Sequence, residues 1–246
     1  AIMATKKKHK MVNMDFKPKL SGELVFKTRE FKFSEKQQNI LDHLLAEETK
    51  IVFLSGPAGS SKTFLSIYAA LHLLNADMDK DIIYIRSLIE SASRSLGYLP
   101  GMASEKFEPF MLPLMDKLEE IVEDHCSKQL LTSEKVRAIP INFLRGASFK
   151  DKIVLVDEFQ NTTFSEAKTI ISRIGEGTKY FITGDPMQSD INGKSAMKDF
   201  CNAFNNEESR ERGIYYFEFD KEDIVRSEIL KFIIGKIESI PRPAHK

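Results

Sequence analysis

The chain has 246 residues, with 36 lysines and arginines against 36 aspartates and glutamates, and so carries no net formal charge. That balance excludes a uniformly basic coat for nucleic acid; any contact with a polyanion has to be a local patch. No apolar run approaches the length of a bilayer span, and Cys126 and Cys201 have no metal-ligand or disulfide spacing, so the expectation is a cytoplasmic α/β protein without a membrane partner.

Residues 1–19 carry Lys6, Lys7, Lys8, Lys10, Lys17 and Lys19 with little apolar content and read as a flexible basic tail, while residues 20–246 read as one domain. Alternation at Leu24, Phe26, Phe31 and Phe33 predicts one or two edge strands within Glu23–Phe33. Ser34 followed by Gln37 has capping-box spacing and opens a helix with apolar positions at Ile40, Leu41, Leu44 and Leu45. An apolar strand from Ile51 runs into Gly56-Pro57-Ala58-Gly59-Ser60-Ser61-Lys62-Thr63, and a helix follows from Lys62 to Asn75. Beyond it come a strand at Asp81–Ile85 ending at Arg86, a loop at Gly97–Gly101, and a helix starting at Pro109 with Phe110, Leu114, Leu118 and Ile121 on one face. Strands are predicted at Ile139–Leu144, ending at Arg145, at Ile153–Val156, at Lys179–Thr183 and at Ile214–Phe219. Helices are predicted at Ser165–Ile174, Ser195–Asn205 and Asp223–Lys236. This alternation is that of a mostly parallel sheet with helices on both faces, and the long interval between Gly56 and Asp157 leaves room for a strand inserted between them.

The stretch Gly56–Thr63 has the layout of a phosphate-binding loop. Successive backbone N–H groups curl around phosphate oxygens at the positive end of a helix, Lys62 reaches the outer phosphates, and Thr63 offers its hydroxyl to Mg²⁺. One residue departs from the usual pattern: Ser61 stands where glycine lets backbone approach phosphate closely. The buried strand Ile153–Val156 ends in Asp157 and Glu158, suited respectively to Mg²⁺ and to activating the water that attacks the terminal phosphate. Gln188, in the polar turn after the strand Lys179–Thr183, has an amide that can sense a γ-phosphate or a neighbouring water. His72 reads as a packing residue of its helix.

Taken together, Gly56–Thr63, Arg86-Ser87-Leu88-Ile89-Glu90, Leu96–Gly101, Glu105–Pro109, Arg145-Gly146, Asp157–Thr163, Ser172–Gly175, Thr183–Gln188 and Asp223–Arg226 resemble, in order, the motifs of the PhoH family of P-loop ATPases. The resemblance implies a RecA-like fold related to superfamily-one helicases, ATP and Mg²⁺ as ligands, and ATP hydrolysis linked to RNA. Gln37 stands where a helicase-type glutamine reads adenine; capping its own helix remains the other reading. Arg226 is the family-position candidate for an arginine finger acting on a neighbouring copy, with Arg173 in reserve. A single core of this type requires a second half, most simply in a homo-oligomer such as a hexameric ring. Arg86, Arg94 and Arg145, at or beyond strand ends, are candidates for contacting single-stranded RNA. Ser61, Ser87 and an extra residue between Ile89 and Leu96 depart from the family pattern. A nucleotide-dependent switch or clamp with weak hydrolysis is the alternative function, and a small-molecule kinase a more distant one.

Overall fold

In a computed structural model of the chain, residues 26–77, 79–86, 103–123, 133–139, 148–189 and 195–224 are described, with the isolated positions 127, 129, 130, 141, 144, 191, 229, 232, 233 and 236. Every residue of strand β1 (Ile51–Ser55) is buried, as a continuous apolar run between two layers of helix requires. The strands β2 (Asp81–Arg86), β3 (Val136–Ala138), β4 (Lys152–Asp157), β5 (Lys179–Gly184) and β6 (Ile214–Glu218) join it in a six-stranded sheet of order β3-β2-β4-β5-β1-β6, parallel at every pairing. This is the RecA-like P-loop arrangement expected from the sequence. A strand does separate the one leading to the phosphate loop from the one ending in Asp157, but it is β5, which follows Asp157 in sequence; β2 and β3, from the interval between Gly56 and Asp157, lie on the far side of β4.

Alternate side chains divide the core in two. Val52, Leu54, Ile82, Tyr84, Leu155 and Phe181 face helices α1 (Glu35–Leu45), α2 (Lys62–Ala76) and α3 (Ala103–Ile121). Phe53, Ile83, Val154, Val156 and Ile182 face the side that carries α4 (Phe164–Ile171) and α5 (Met197–Phe204). The short helix α6 (Glu207–Glu211), not foreseen from sequence, is capped by the Asn206 side chain, which accepts from Ser209 N–H at 2.9 Å.

Several boundaries differ from the sequence reading. Residues 26–33 form one antiparallel bridge, Thr28 to Val122, instead of edge strands; their aromatic side chains pack on α2, with Phe31 at 4.9 Å from Phe64. The strand expected at Ile139–Leu144 lies at Val136–Ala138, and Ile139 N–H makes the last bond, to Tyr84 O at 2.9 Å. The next residue in sequence is a proline, which brings no N–H to a ladder. Helix α3 begins at Ala103, with Pro109 inside it, because alanine, glutamate and lysine ahead of the proline are good helix formers. The tail 1–19, the loop Gly97–Gly101 and most of the expected Asp223–Lys236 helix lie outside the described residues.

Candidate nucleotide site

All the parallel strands point their carboxyl ends the same way, so the phosphate-loop sequence, Asp157 and the turn after β5 meet along one edge of the sheet, where α/β folds hold ligands. Between them is a cleft of about 320 Å³ lined by Ser61, Lys62, Thr63, Asp157, Glu158 and Gln188, among others.

The loop's path depends on glycine at its entry. Gly56 has φ of +148°, its N–H donates to Gly184 O at 3.1 Å, and a Cβ there would stand 2.6 Å from Phe219 O. Gly59 also has a positive φ, at +82°. At the exit, Ser61 has φ +66° and ψ +13°, left-handed backbone that glycine enters without penalty and serine does not. Lys62 starts α2 and is only 8% exposed; its ammonium donates to Gly56 O at 2.7 Å, to Pro57 O at 2.6 Å and to Ser60 Oγ at 3.3 Å. Burial pulls its pKa below the usual lysine range, against the opposing pull of Asp185, Asp157 and Glu158.

Asp157 is the hub of the site. Its Oδ1 accepts from Thr63 Oγ1 at 2.9 Å and Thr183 Oγ1 at 2.7 Å, and its Oδ2 accepts from the buried Tyr84 hydroxyl at 2.7 Å. Burial, then the Asp157 charge, hold the Tyr84 hydroxyl far above its ordinary pKa, so it remains a donor. Arg86, 24% exposed at the side chain, places Nη1 3.8 Å from Asp157 Oδ2 and Nη2 3.7 Å from Glu158 Oε1. Glu158 has φ +56°, a left-handed kink that turns the chain into the 3₁₀ segment Phe159–Asn161 immediately after β4. Its Oε2 accepts from Gln160 Nε2.

The arrangement meets the demands of a nucleoside triphosphate with a hard cation: a glycine-shaped loop, a buried ammonium, and a hydroxyl beside a carboxylate. Among the described residues no set of three or more His, Cys, Asp or Glu side chains is placed to hold a metal.

The structure thus brings Gly56, Pro57, Ala58, Gly59, Ser60, Ser61, Lys62, Thr63, Asp157, Glu158 and Gln188 to one edge of the sheet. Gln37 Oε1 accepts from Ser34 N–H at 3.0 Å and Ser34 Oγ accepts from Gln37 N–H at 3.2 Å, so the capping box is present. Arg173 is at the opposite end of the sheet: it precedes β5, and its carbonyl accepts from the N–H of Phe149, which precedes β4. Arg94, Arg145 and Arg226 lie outside the described residues. Sequence reasoning gave no role to Tyr84, Gln160, Thr183 or Asp185, nor to Lys117 and Glu120 of α3, which also line the cleft. For Tyr84 the signal was its spacing of two from Arg86 on one strand, informative only once β2 is known to lie beside β4.

Residues 32–238 match the family model described as PhoH-like protein. A PhoH-like protein of Bacillus subtilis is 34% identical over 189 residues, covering 75% of this chain and 57% of its own length. Protein PhoH of Escherichia coli is 36% identical over 193 residues, covering 76% and 53% respectively. The chain thus spans little more than half the length of these relatives. Among solved structures, Pif1 helicase from Candida albicans aligns over 85% of this chain and 44% of its own at 14% identity and a TM-score of 0.39, a likeness too loose to bear on activity. With the family model covering most of the sequence and the loop, the acidic strand end and the polar turn gathered on one edge of a parallel sheet, the chain belongs to the PhoH family.

Proposed function

We propose that the chain hydrolyses ATP to ADP with Mg²⁺ in the cytoplasm, and that the cycle is coupled to binding or remodelling single-stranded RNA. The observation that carries this reading is the convergence of Lys62, Thr63, Asp157 and Glu158 on one cleft. In it, Lys62 leaves the Gly56 and Pro57 carbonyls to grip phosphate oxygens, and the loop N–H groups cradle them. Thr63 and Asp157 would hold Mg²⁺, which when bound would supply charge neutralisation to the phosphates. Glu158 takes the proton of the attacking water, and Gln188 senses the terminal phosphate. Glu158, placed as a base for water, favours hydrolysis over transfer to another acceptor. A finger supplied by a second copy, Arg226 being the candidate, completes the site in a homo-oligomer such as a hexameric ring.

ATP turnover with and without single-stranded RNA and DNA, at several salt concentrations, tests the reading, because phosphate contacts weaken as salt rises. Glu158→Gln should bind nucleotide and lose turnover. Equal turnover in the variant and the parent would sink the assignment. The strained backbone at Ser61 favours a slow cycle, so the same assay separates a nucleotide-dependent switch, with long-lived bound ATP, from an engine that turns over continuously.

A further inference from the structure

Gln160 is 2% exposed and both ends of its amide are committed. Asp185 N–H donates to its Oε1 at 3.0 Å, which fixes the amide's orientation and leaves Nε2 to donate to Glu158 Oε2. Ser189 Oγ donates to the Gln160 carbonyl at 3.3 Å, so backbone and side chain are both tied to the turn that follows β5. The seat exists because residue 184 is glycine: a Cβ there would stand 2.7 Å from Gln160 Oε1 and 2.5 Å from Met197 Sδ. Glu158 is otherwise loosely held. Its backbone is in the left-handed region, its side chain is 38% exposed, and its other charged contact, Arg86, is 3.7 Å away.

We propose that Gln160 is a positioning residue that aims Glu158 at the attacking water and couples that aim to the Asp185–Gln188 turn, an assignment that rests on the ATPase reading above. Met187 N–H donates to Asp185 Oδ1 at 2.9 Å and Gln188 N–H to Asp185 O at 3.0 Å, so the turn hinges on Asp185. A shift of Gln188 toward a terminal phosphate therefore moves the Asp185 N–H, the amide follows, and the carboxylate turns with it. In this way the base is held in line when the phosphate is engaged.

The test is steady-state ATP turnover in the parent chain, Gln160→Ala and Gln160→Glu, with affinity for a fluorescent ADP analogue measured alongside. Gln160→Ala should lower kcat about tenfold or more, within the range ascribed to a positioned base, while KM and ADP affinity stay within about twofold. Gln160→Glu keeps the side chain's shape and the acceptor for Asp185 N–H but loses the donor to Glu158, so kcat should fall as in the alanine variant; it carries the test if the alanine variant does not fold. An unchanged kcat, or a loss of kcat matched by a loss of ADP affinity, overturns the proposal and makes Gln160 a packing residue only. Absence of turnover in the parent chain overturns the ATPase reading, and this assignment with it.

Discussion

Arg86 and Asp157 are register partners at the ends of two neighbouring parallel strands, and the guanidinium stands 3.8 Å from the carboxylate it accompanies. The same guanidinium reaches Glu158, so one half-buried cation balances two adjacent acids. The sequence placed this arginine among nucleic-acid contacts; its location gives it a partner inside the cleft's acidic wall. Arg86→Ala is therefore expected to reduce ATP turnover about tenfold in the absence of any nucleic acid, since it removes the cation that faces both carboxylates and helps to fix their place. Unchanged basal turnover with weakened, salt-sensitive RNA binding would return Arg86 to the role of a phosphate contact.

Ser61→Gly should raise stability. Left-handed backbone costs a residue with a Cβ about 1–2 kcal/mol, part of which glycine gives back through its freer unfolded chain. A net gain of about 1 kcal/mol corresponds to a rise in Tm of roughly 2–4 °C for a chain of this size, readable by calorimetry. Turnover should quicken as well, because removing the Cβ clears the approach of backbone to phosphate. Ser61→Ala keeps the Cβ and should gain neither.

A buried lysine at the other end of the sheet predicts a pH dependence. Lys179 Nζ donates to Ala46 O and to Thr49 O at 2.9 Å, and burial pushes its pKa down to about 8 from a model-peptide 10.5. Between those values the unfolded chain holds a proton that the folded chain has released, so stability rises with pH. Above the ordinary thiol value of 9.0 the sign opposes it: Cys201, pushed up to about 12 by burial, keeps a proton that the unfolded chain loses. The free energy of unfolding in urea should therefore climb between pH 8 and pH 9, by about 1 kcal/mol, and flatten beyond. Lys179→Met should reduce the climb, leaving the part of the same sign that the buried Lys62 contributes.

If the finger acts between copies, mixing Arg226→Ala chains with Lys62→Ala chains should restore some turnover that neither shows alone. Light scattering on the same mixture gives the size of the assembly. A monomer with full activity at high dilution would rule out the shared site.

The strands that build the cleft were legible because both-face burial leaves a run of aliphatic residues ending in polar ones, as at Ile153–Asp157. Helix α4 carried a second signal that went unused: Thr163 and Glu166 have capping-box spacing and form that box. What single-chain order could not convey is lateral position. Tyr84, Arg86 and Thr183 reach Asp157 only because β2 and β5 flank β4, and sequence distance says nothing of that. Residues 26–33 misled for a related reason: their alternation reflects aromatic packing on α2, which needs no ladder of hydrogen bonds.

The closeness of Gly56 to Phe219 bears on which substitutions the chain can accumulate. A side chain at 56 has nowhere to go, since the atoms it would meet belong to the backbone of the segment after β6 and cannot swing aside. The exit of the same loop already carries a serine at a left-handed position, bearing a penalty without a collision. In a saturation library the two ends of one loop should part: nothing but glycine survives at 56, whereas small residues persist at 61. Because Phe219 N–H also donates to Ser55 O at 2.7 Å, intolerance at 56 should extend to insertions between β6 and Phe219, which would slide that backbone off the loop it presses against.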